Sequence, residues 1–144
     1  MDILTQIEAD GLIAMRKNFV ESVTISLPPG SDHTHELVSE DTRERFLLDL
    51  WRRTIRLSKL KFQNRGRKVI VLVRLDINGA PHTNPDGTRL DGAHLHVYLE
   101  GFEDKWAYPI NNNEFRNPSS IQDSFDDFCR YCNIMAPPFQ DGFL

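Results

Sequence analysis

Two segments in the second half of the chain carry the pattern of neighbouring β-strands, and they constrain the fold more than any other feature. Lys68–Ile77 is rich in β-branched residues and is followed by an Asn-Gly pair that is typical of turns. Ala93–Glu100 alternates in character, which places His94, His96 and Tyr98 on one face of a strand. We therefore expect both segments in one antiparallel sheet, with Lys68–Ile77 as its most central strand.

Residues 45–64 fit two interpretations. Phe46, Leu50 and Ile55 share one face of a helix. The same segment also fits two successive strands, the first with Phe46, Leu48 and Leu50 and the second with Ile55 and Leu57. We favour two strands, because Thr, Ile, Phe and Trp prefer strands and no helix stop signal occurs before Gly66.

The remaining segments predict a helix at each end of the sheet. The predicted elements are a helix over residues 5–17, strands at Val23–Leu27, His33–Ser39 and Lys105–Ile110, a helix that starts at Asn117-Pro118, and an irregular tail from about Asn133. This order argues for an α+β fold, an antiparallel β-sheet of about five to seven strands flanked by an N-terminal and a C-terminal helix. A chain of 144 residues with 40% hydrophobic and 26% charged residues is expected to form a single domain over residues 1–144.

The distribution of apolar residues and cysteines indicates a cytoplasmic protein without membrane association. No apolar run approaches the roughly 18 residues of a membrane span, and the first residues lack the pattern of a secretory signal. The two cysteines, Cys129 and Cys132, have redox-motif spacing but fall at the end of the predicted helix, where its dipole opposes a thiolate. We interpret them as core thiols.

Positive charge is concentrated in one segment. Residues 52–68 carry eight bases and no acid, whereas the rest of the chain carries nine bases and all 21 acids. The eight bases are Arg52, Arg53, Arg56, Lys59, Lys61, Arg65, Arg67 and Lys68. They are candidate nucleic-acid-binding residues, although charged strands that discourage edge-to-edge pairing are an equally good interpretation. The rings of Trp51, Trp106, Phe62 and Tyr108 suit base stacking or core packing, and do not discriminate.

Three of the five histidines lie in or just after a long connection between the predicted strands. The connection spans Asn78–Gly92, 15 residues, and contains Asn84-Pro85-Asp86-Gly87, a type I turn signal. Loops of this length are usually functional or disordered. Antiparallel pairing would gather three imidazoles, a guanidinium and a carboxylate on one surface, with Lys105 and Tyr98 as additions. The five are His82, His94, His96, Arg74 and Asp76.

Metal-independent cleavage of RNA is the first chemistry that this set suits. In that hypothesis His82 and His96 are the acid–base pair, because an imidazole exchanges its proton near neutral pH. Arg74 and Lys105 stabilise the charge on phosphorus, and His94 orients the pair. No cofactor is expected, and RNA is the partner.

Two other interpretations of the histidines stay open. His82, His94 and His96, with Asp76 or Asp86, offer three nitrogens and an oxygen, a ligand set suited to zinc or iron. Alternatively, they are polar residues of a sheet surface that hydrogen-bond to loop carbonyls. A second His-x-His, His33-Thr34-His35, is interpreted as a surface turn.

Several short motifs carry resemblances to known families. They are Phe46-Leu47-Leu48-Asp49, Phe62-Gln63-Asn64-Arg65, Arg74-Leu75-Asp76, Pro81-His82, Asn84-Pro85-Asp86-Gly87, His94-Leu95-His96-Val97-Tyr98 and Asp104-Lys105-Trp106-Ala107-Tyr108-Pro109. Over most of the chain, this set resembles a family of small bacterial and prophage proteins of unknown function, which implies a phage or mobile-element context and no particular activity. The order Arg-x-Asp, Pro-His, His-x-His is also similar to small toxins of bacterial toxin–antitoxin pairs.

These resemblances leave two functional classes besides a metalloprotein. One is a toxin-like endoribonuclease with a protein antitoxin as partner. The other is a non-enzymatic phage or mobile-element protein that docks on a host defence protein or a protein–nucleic-acid complex, which the acidic balance and the long loop also fit.

Overall fold

The computed structural model describes residues 3–54 and 59–140, which form two helices and nine strands. The elements are α1 (Gln6–Ala14), β1 (Lys17–Phe19), β2 (Asp32–Ser39), β3 (Arg45–Arg52), β4 (Leu60–Gly66), β5 (Ile70–Ile77), β6 (His82–Thr83), β7 (Arg89–Leu90), β8 (His94–Val97), β9 (Ala107–Pro109) and α2 (Ile121–Tyr131). Seven strands form one antiparallel sheet in the order β1-β2-β3-β4-β5-β8-β9, and β6 and β7 form a separate hairpin.

The predicted α+β fold is confirmed, with a seven-stranded sheet and a helix near each end of the chain. The described part of residues 45–64 forms strands and not a helix, since Phe46–Arg52 of β3 pairs with Leu60–Gly66 of β4. The predicted second strand began at Ile55, which lies outside the described residues, and β4 begins at Leu60. The centre of the strand order is β4, so the prediction that Lys68–Ile77 is the most central strand was wrong by one position.

Three predicted elements differ from the structure. The helix predicted over residues 5–17 ends at Ala14, and Lys17 already belongs to β1. Val23–Leu27 is not a strand: Ile25 makes a single bridge to Phe139, so the alternation there reflects the burial of Ile25 and Leu27 against the core and not sheet pairing. The C-terminal helix does not start at Asn117-Pro118. Its cap is Ser120, whose side-chain oxygen accepts a hydrogen bond from the Asp123 amide at 3.1 Å, as N-caps do.

Both helices contribute to the core. Phe125 and Phe128 of α2 pack on Phe62 of β4, each with 5.9 Å between ring centroids, and Leu12 of α1 is buried in the same cluster. Neither helix of the described segments is long and apolar enough to cross a membrane. Cys129 and Cys132 are buried core residues, and burial raises the pKa of the Cys132 thiol to about 12.

Tyr98 does not join the face on which the alternation predicted it. Strand β8 ends at Val97, and Tyr98 turns into the core, where it is 2% exposed. Its hydroxyl donates to the Leu4 carbonyl at 2.7 Å and accepts from the Leu4 amide at 3.0 Å. Tyr98 therefore fastens the start of the chain to the sheet and is not part of the histidine cluster.

Lys17 is completely buried and joins three segments of the chain. The Lys17 ammonium donates to the carbonyls of Ile13, Met15 and Cys132 at 2.8, 2.9 and 2.6 Å. Desolvation lowers the pKa of Lys17 to about 8. The three bonds tie the end of α1 to β1 and to the end of α2.

Candidate functional site

The face of the sheet opposite the helices carries two rows of polar residues that cross four strands. In each row, the residues of β3, β4, β5 and β8 are direct cross-strand partners. The first row is Trp51, Lys61, Asp76 and His94, and the second is Asp49, Gln63, Arg74 and His96. Their neighbours along each strand point to the core, so the rows follow from the two-residue period of the strands.

The β6–β7 hairpin places a third imidazole beside this face. The ring of His82 lies 5.6 Å from that of His94 and 4.6 Å from that of His96, and the latter two are 5.1 Å apart between centroids. The structure thus brings together the three histidines that the sequence singled out, with Arg74 and Asp76 between them.

The hairpin is held by its turn. Within the predicted type I turn, the Gly87 amide donates to the Asn84 carbonyl at 2.8 Å, and Gly87 has φ of 91°. The buried side chain of Asn84 donates to the Ala107 carbonyl at 2.9 Å and accepts from the Ala107 amide at 2.8 Å. These bonds connect the hairpin to β9 and set the position of His82.

Asp76 is the centre of the cluster. Its Oδ2 lies 3.3 Å from His94 Nε2 and 3.5 Å from His96 Nε2, and its Oδ1 lies 3.3 Å from Arg74 Nε. Burial alone would raise the pKa of Asp76, but the hydrogen bond from His94 and the adjacent Arg74 guanidinium outweigh burial and hold that pKa well below its usual range. Asp76 is therefore a carboxylate at neutral pH.

The two buried histidines carry their protons differently. Each donates from Nδ1 to a backbone carbonyl, His94 to Gly92 at 2.9 Å and His96 to Asp104 at 2.7 Å. The hydrogen bond with Asp76 raises the pKa of His94 against the effect of burial. The Nε2 of His96 instead lies 3.0 Å from Arg74 Nη2, which can only donate, so this nitrogen accepts from the guanidinium.

The charges of the cluster balance. Arg74 and protonated His94 supply two positive charges, and Asp76 and Asp104 supply two negative charges, with 3.4 Å between Arg74 Nη1 and Asp104 Oδ2. Asp104 was not predicted from the sequence, since it lies in the loop after β8, where no periodicity indicates which residues approach the sheet. Its carbonyl orients His96 and its carboxylate orients Arg74.

Among the described residues, one cluster has the composition of a metal site, and it consists of Asp76, His94 and His96. Each of the three offers one ligand atom, and these atoms lie within 4.8 Å of one another. Both imidazoles bind a carbonyl through the remaining nitrogen, as metal ligands usually do. However, the Arg74 guanidinium already donates to His96 Nε2. A metal ion at this point would have to displace a fixed positive charge. His82, the fourth residue of the proposed set, directs Nε2 to the Lys105 carbonyl at 2.9 Å.

A cleft of about 260 Å³ opens over the first row. The charged, imidazole and indole groups along its wall include Trp51, Lys59, Lys61, Arg74, His82 and His94. His96 is only 1% exposed and lies beneath it. Of the three histidines, His82 and His94 line the cleft, and His94 is itself only 2% exposed.

The bases of residues 52–68 have different surroundings. Arg52 donates to the Leu27 carbonyl at 2.6 Å, Arg65 binds Asp49 at 2.7 and 2.9 Å, and Arg67 pairs with Glu44 at 3.4 Å. Lys59 and Lys61 line the cleft, and Arg53 and Lys68 are exposed elsewhere along the segment. Arg56 lies outside the described residues.

Several other candidates lie apart from the cluster. Lys105 contributes its carbonyl to His82, and its side chain is exposed. Asp86 is exposed and accepts from the Thr88 amide within the hairpin turn. His33 and His35 belong to strand β2, where they pair with Leu50 and Leu48 on the core-facing side, so the interpretation of this His-x-His as a turn was wrong.

The fold and the cluster define a small antiparallel α+β protein with a charge-balanced His–Asp–Arg centre beneath a basic cleft. The chain belongs to a family of unknown function, DUF6978, whose model matches residues 4–134. This membership confirms the expected resemblance to a family without a known activity. No match was found among curated proteins or among solved structures.

Proposed function

We propose that this protein is a metal-independent endoribonuclease whose reaction takes place in the cleft between His82 and His94. The observation that carries the proposal is a stacked imidazole pair, with 5.6 Å between ring centroids, beside a guanidinium in a cleft. Imidazoles of this kind supply both a general base and a general acid near neutral pH.

The hydrogen bonds assign a role to each imidazole. His82 donates from Nε2 to the Lys105 carbonyl, which leaves the lone pair of Nδ1 to accept a proton. His94 carries two N–H groups, because Gly92 and Asp76 both accept from it. His82 is therefore the base and His94 the acid. Compared with the sequence-based hypothesis, His94 and His96 exchange roles, since His94 lines the cleft, whereas the Nε2 of His96 accepts from Arg74 and holds the guanidinium in place.

In the reaction, His82 Nδ1 takes the proton of a ribose 2′-hydroxyl, and the 2′-oxygen forms a bond to the adjacent phosphorus. The bond from phosphorus to the 5′-oxygen breaks, and that oxygen receives the Nε2 proton of His94. Arg74 stabilises the charge on the non-bridging oxygens. The products are a 2′,3′-cyclic phosphate and a 5′-hydroxyl end. His82 then releases its proton to solvent water, and His94 takes up a proton from solvent, which restores both imidazoles.

The balance of charge supports a reaction without a metal ion. Arg74 supplies the positive charge that a cation would otherwise provide, and its position is fixed by Asp76, His96 and Asp104. The proposal extends to a bacterial or prophage toxin in the cytoplasm, in line with the resemblance of the Arg-x-Asp and His-x-His motifs. Its antitoxin would be a protein that covers the basic cleft with acidic residues.

The proposal is tested by incubating purified protein with RNA in the presence of EDTA and identifying the new ends by mass spectrometry. We expect cyclic phosphate ends, and a loss of about 10²–10⁴-fold in rate for His82→Ala and for His94→Gln. His33→Ala is the matched control, because it removes an imidazole from the opposite face and should leave the rate unchanged.

Three results would contradict the proposal. They are cleavage that persists in His82→Ala, cleavage that EDTA abolishes, and no cleavage under any condition. The second would favour a metal at Asp76, His94 and His96. The third, together with a stoichiometric protein partner whose binding tolerates the loss of His82, would favour the binding-protein alternative.

A further inference from the structure

We propose that Trp51, with Lys59 and Lys61, binds an unpaired base and the adjoining phosphates of single-stranded RNA. This inference rests on the proposed function for the class of ligand and extends it by naming the form of RNA that the cleft accepts. It concerns the end of the cleft that lies away from the histidines.

The first observation is the placement of two cations over one aromatic ring. Trp51 is half-buried at the end of β3 and lines the cleft. The ammonium nitrogens of Lys59 and Lys61 lie 5.9 and 5.8 Å from its ring centroid. A flat ring accepts a stacked base of any sequence, and neighbouring ammonium groups bind the phosphates on either side of it.

The second observation is the direction of the row. Trp51 pairs with Lys61, Lys61 with Asp76, and Asp76 with His94, so the ring and the acid are three strands apart. At about 4.8 Å per strand, their backbones are separated by roughly 14 Å. A ligand that contacts both ends must be extended across the strands. Single-stranded RNA has this form, and its bases are free to stack on Trp51.

The third observation concerns charge. Lys61 stands between Trp51 and the Asp76 carboxylate, which Arg74 and His94 already neutralise. Arg65 and Arg67, by contrast, are paired with Asp49 and Glu44. Among the described bases of the segment, the two lysines of the cleft are therefore best placed to hold a phosphate backbone next to Trp51. Duplex RNA lacks an unpaired base for the ring.

Binding is measured with a probe that the proposed reaction cannot cut, a 2′-O-methyl octauridine with a fluorescent label. Anisotropy gives the affinity of each variant. We expect Trp51→Ala to weaken binding by about five- to 150-fold and Trp51→Phe to remain within a few-fold of wild type. A duplex that contains the same strand should bind at least about ten-fold more weakly, since its bases are already stacked. In a Trp106→Phe background, the indole fluorescence of Trp51 should be quenched by the probe.

The salt dependence separates the lysines of the cleft from other charges. Lys61→Gln should reduce the slope of log K against log salt by about 0.7, the value for one phosphate contact on a single strand. Lys68→Gln removes an equal charge outside the cleft and should leave the slope unchanged.

The inference fails if Trp51→Ala binds the probe as tightly as wild type, if the duplex binds equally well, or if Lys61→Gln and Lys68→Gln change the slope alike. These results are independent of catalysis. Binding through Trp51 without any cleavage of RNA would overturn the proposed function and leave this inference intact. Cleavage that Trp51→Ala does not alter at limiting substrate would overturn the inference alone.

Discussion

Replacement of Asp76 by Asn is the most informative single change. The side chain keeps its shape, but the carboxylate beside Arg74 and His94 is lost, and two cations then face each other in a site where Asp76 is only 16% exposed. Removing one partner of a buried ion pair typically costs about 3–5 kcal/mol, because the remaining charge is left without compensation. We expect a loss of this size in the free energy of unfolding near pH 6.

The loss of unfolding free energy in Asp76→Asn depends on pH, because both Asp76 and His94 titrate. The pKa of Asp76 is lowered in the folded state, so its contribution is present above its unfolded pKa of about 3.9 and disappears as pH falls through the folded pKa. The pKa of His94 is raised, so its contribution is complete below about 6.5 and disappears as pH rises through the folded pKa. The two effects overlap between about pH 4 and 6.5. The deficit of Asp76→Asn is largest in that window and shrinks on both sides of it.

Urea unfolding between pH 3 and 9 measures the deficit, and NMR titration of His94 measures its cause. Each unit by which the variant lowers the pKa of His94 corresponds to about 1.4 kcal/mol of lost coupling. Asp49→Asn is the matched control on the same face, because Asp49 pairs with Arg65 and contacts no imidazole. Its deficit should be constant from pH 5 to 9. A constant deficit for Asp76→Asn over the same range, or an unchanged His94 titration, would refute the reasoning.

Three further predictions concern stability and reactivity. Lys17→Met should lower the free energy of unfolding by at least about 3 kcal/mol in urea, because three carbonyls lose their buried donor; a loss under about 1 kcal/mol would contradict this. Gly87→Ala should cost roughly 1–2 kcal/mol, since the residue has φ of 91°, whereas Gly92→Ala, which meets no atom within 4 Å, should cost less than Gly87→Ala in the same assay. The Cys132 thiol, with its pKa raised from 9.0 to about 12, should react with a disulfide reagent roughly 1,000-fold more slowly in the folded protein than after unfolding, and equal rates would show that it is accessible.

The four site residues on strands β5 and β8 were predictable because their placement depends on local sequence patterns. The alternation of His94 and His96 along a strand has a period of two, and it places both imidazoles on one face whatever the rest of the chain does. Arg74 and Asp76 share the same spacing one strand away, so antiparallel pairing was enough to bring all four together.

The other features depend on contacts that no local pattern reports. The approach of His82 depends on bonds between Asn84 and Ala107, which are 23 residues apart. Tyr98 left the expected face because β8 ends one residue earlier, at Val97. Asn117-Pro118 has the composition of a helix start, but Ser120 captures the Asp123 amide and the helix begins after it.

The two parts of the site differ in how firmly the fold holds them. Arg74, Asp76, His94 and His96 belong to β5 and β8, two interior strands with partners on both sides. His82 belongs to a hairpin of two-residue strands. Short hairpins open more readily than interior strands, so the fraction of molecules with an assembled imidazole pair equals the fraction with the hairpin closed. The proposed reaction would therefore be limited by the opening of this hairpin, whose free energy is expected to be far smaller than that of global unfolding, and amide exchange in the hairpin measures that free energy directly.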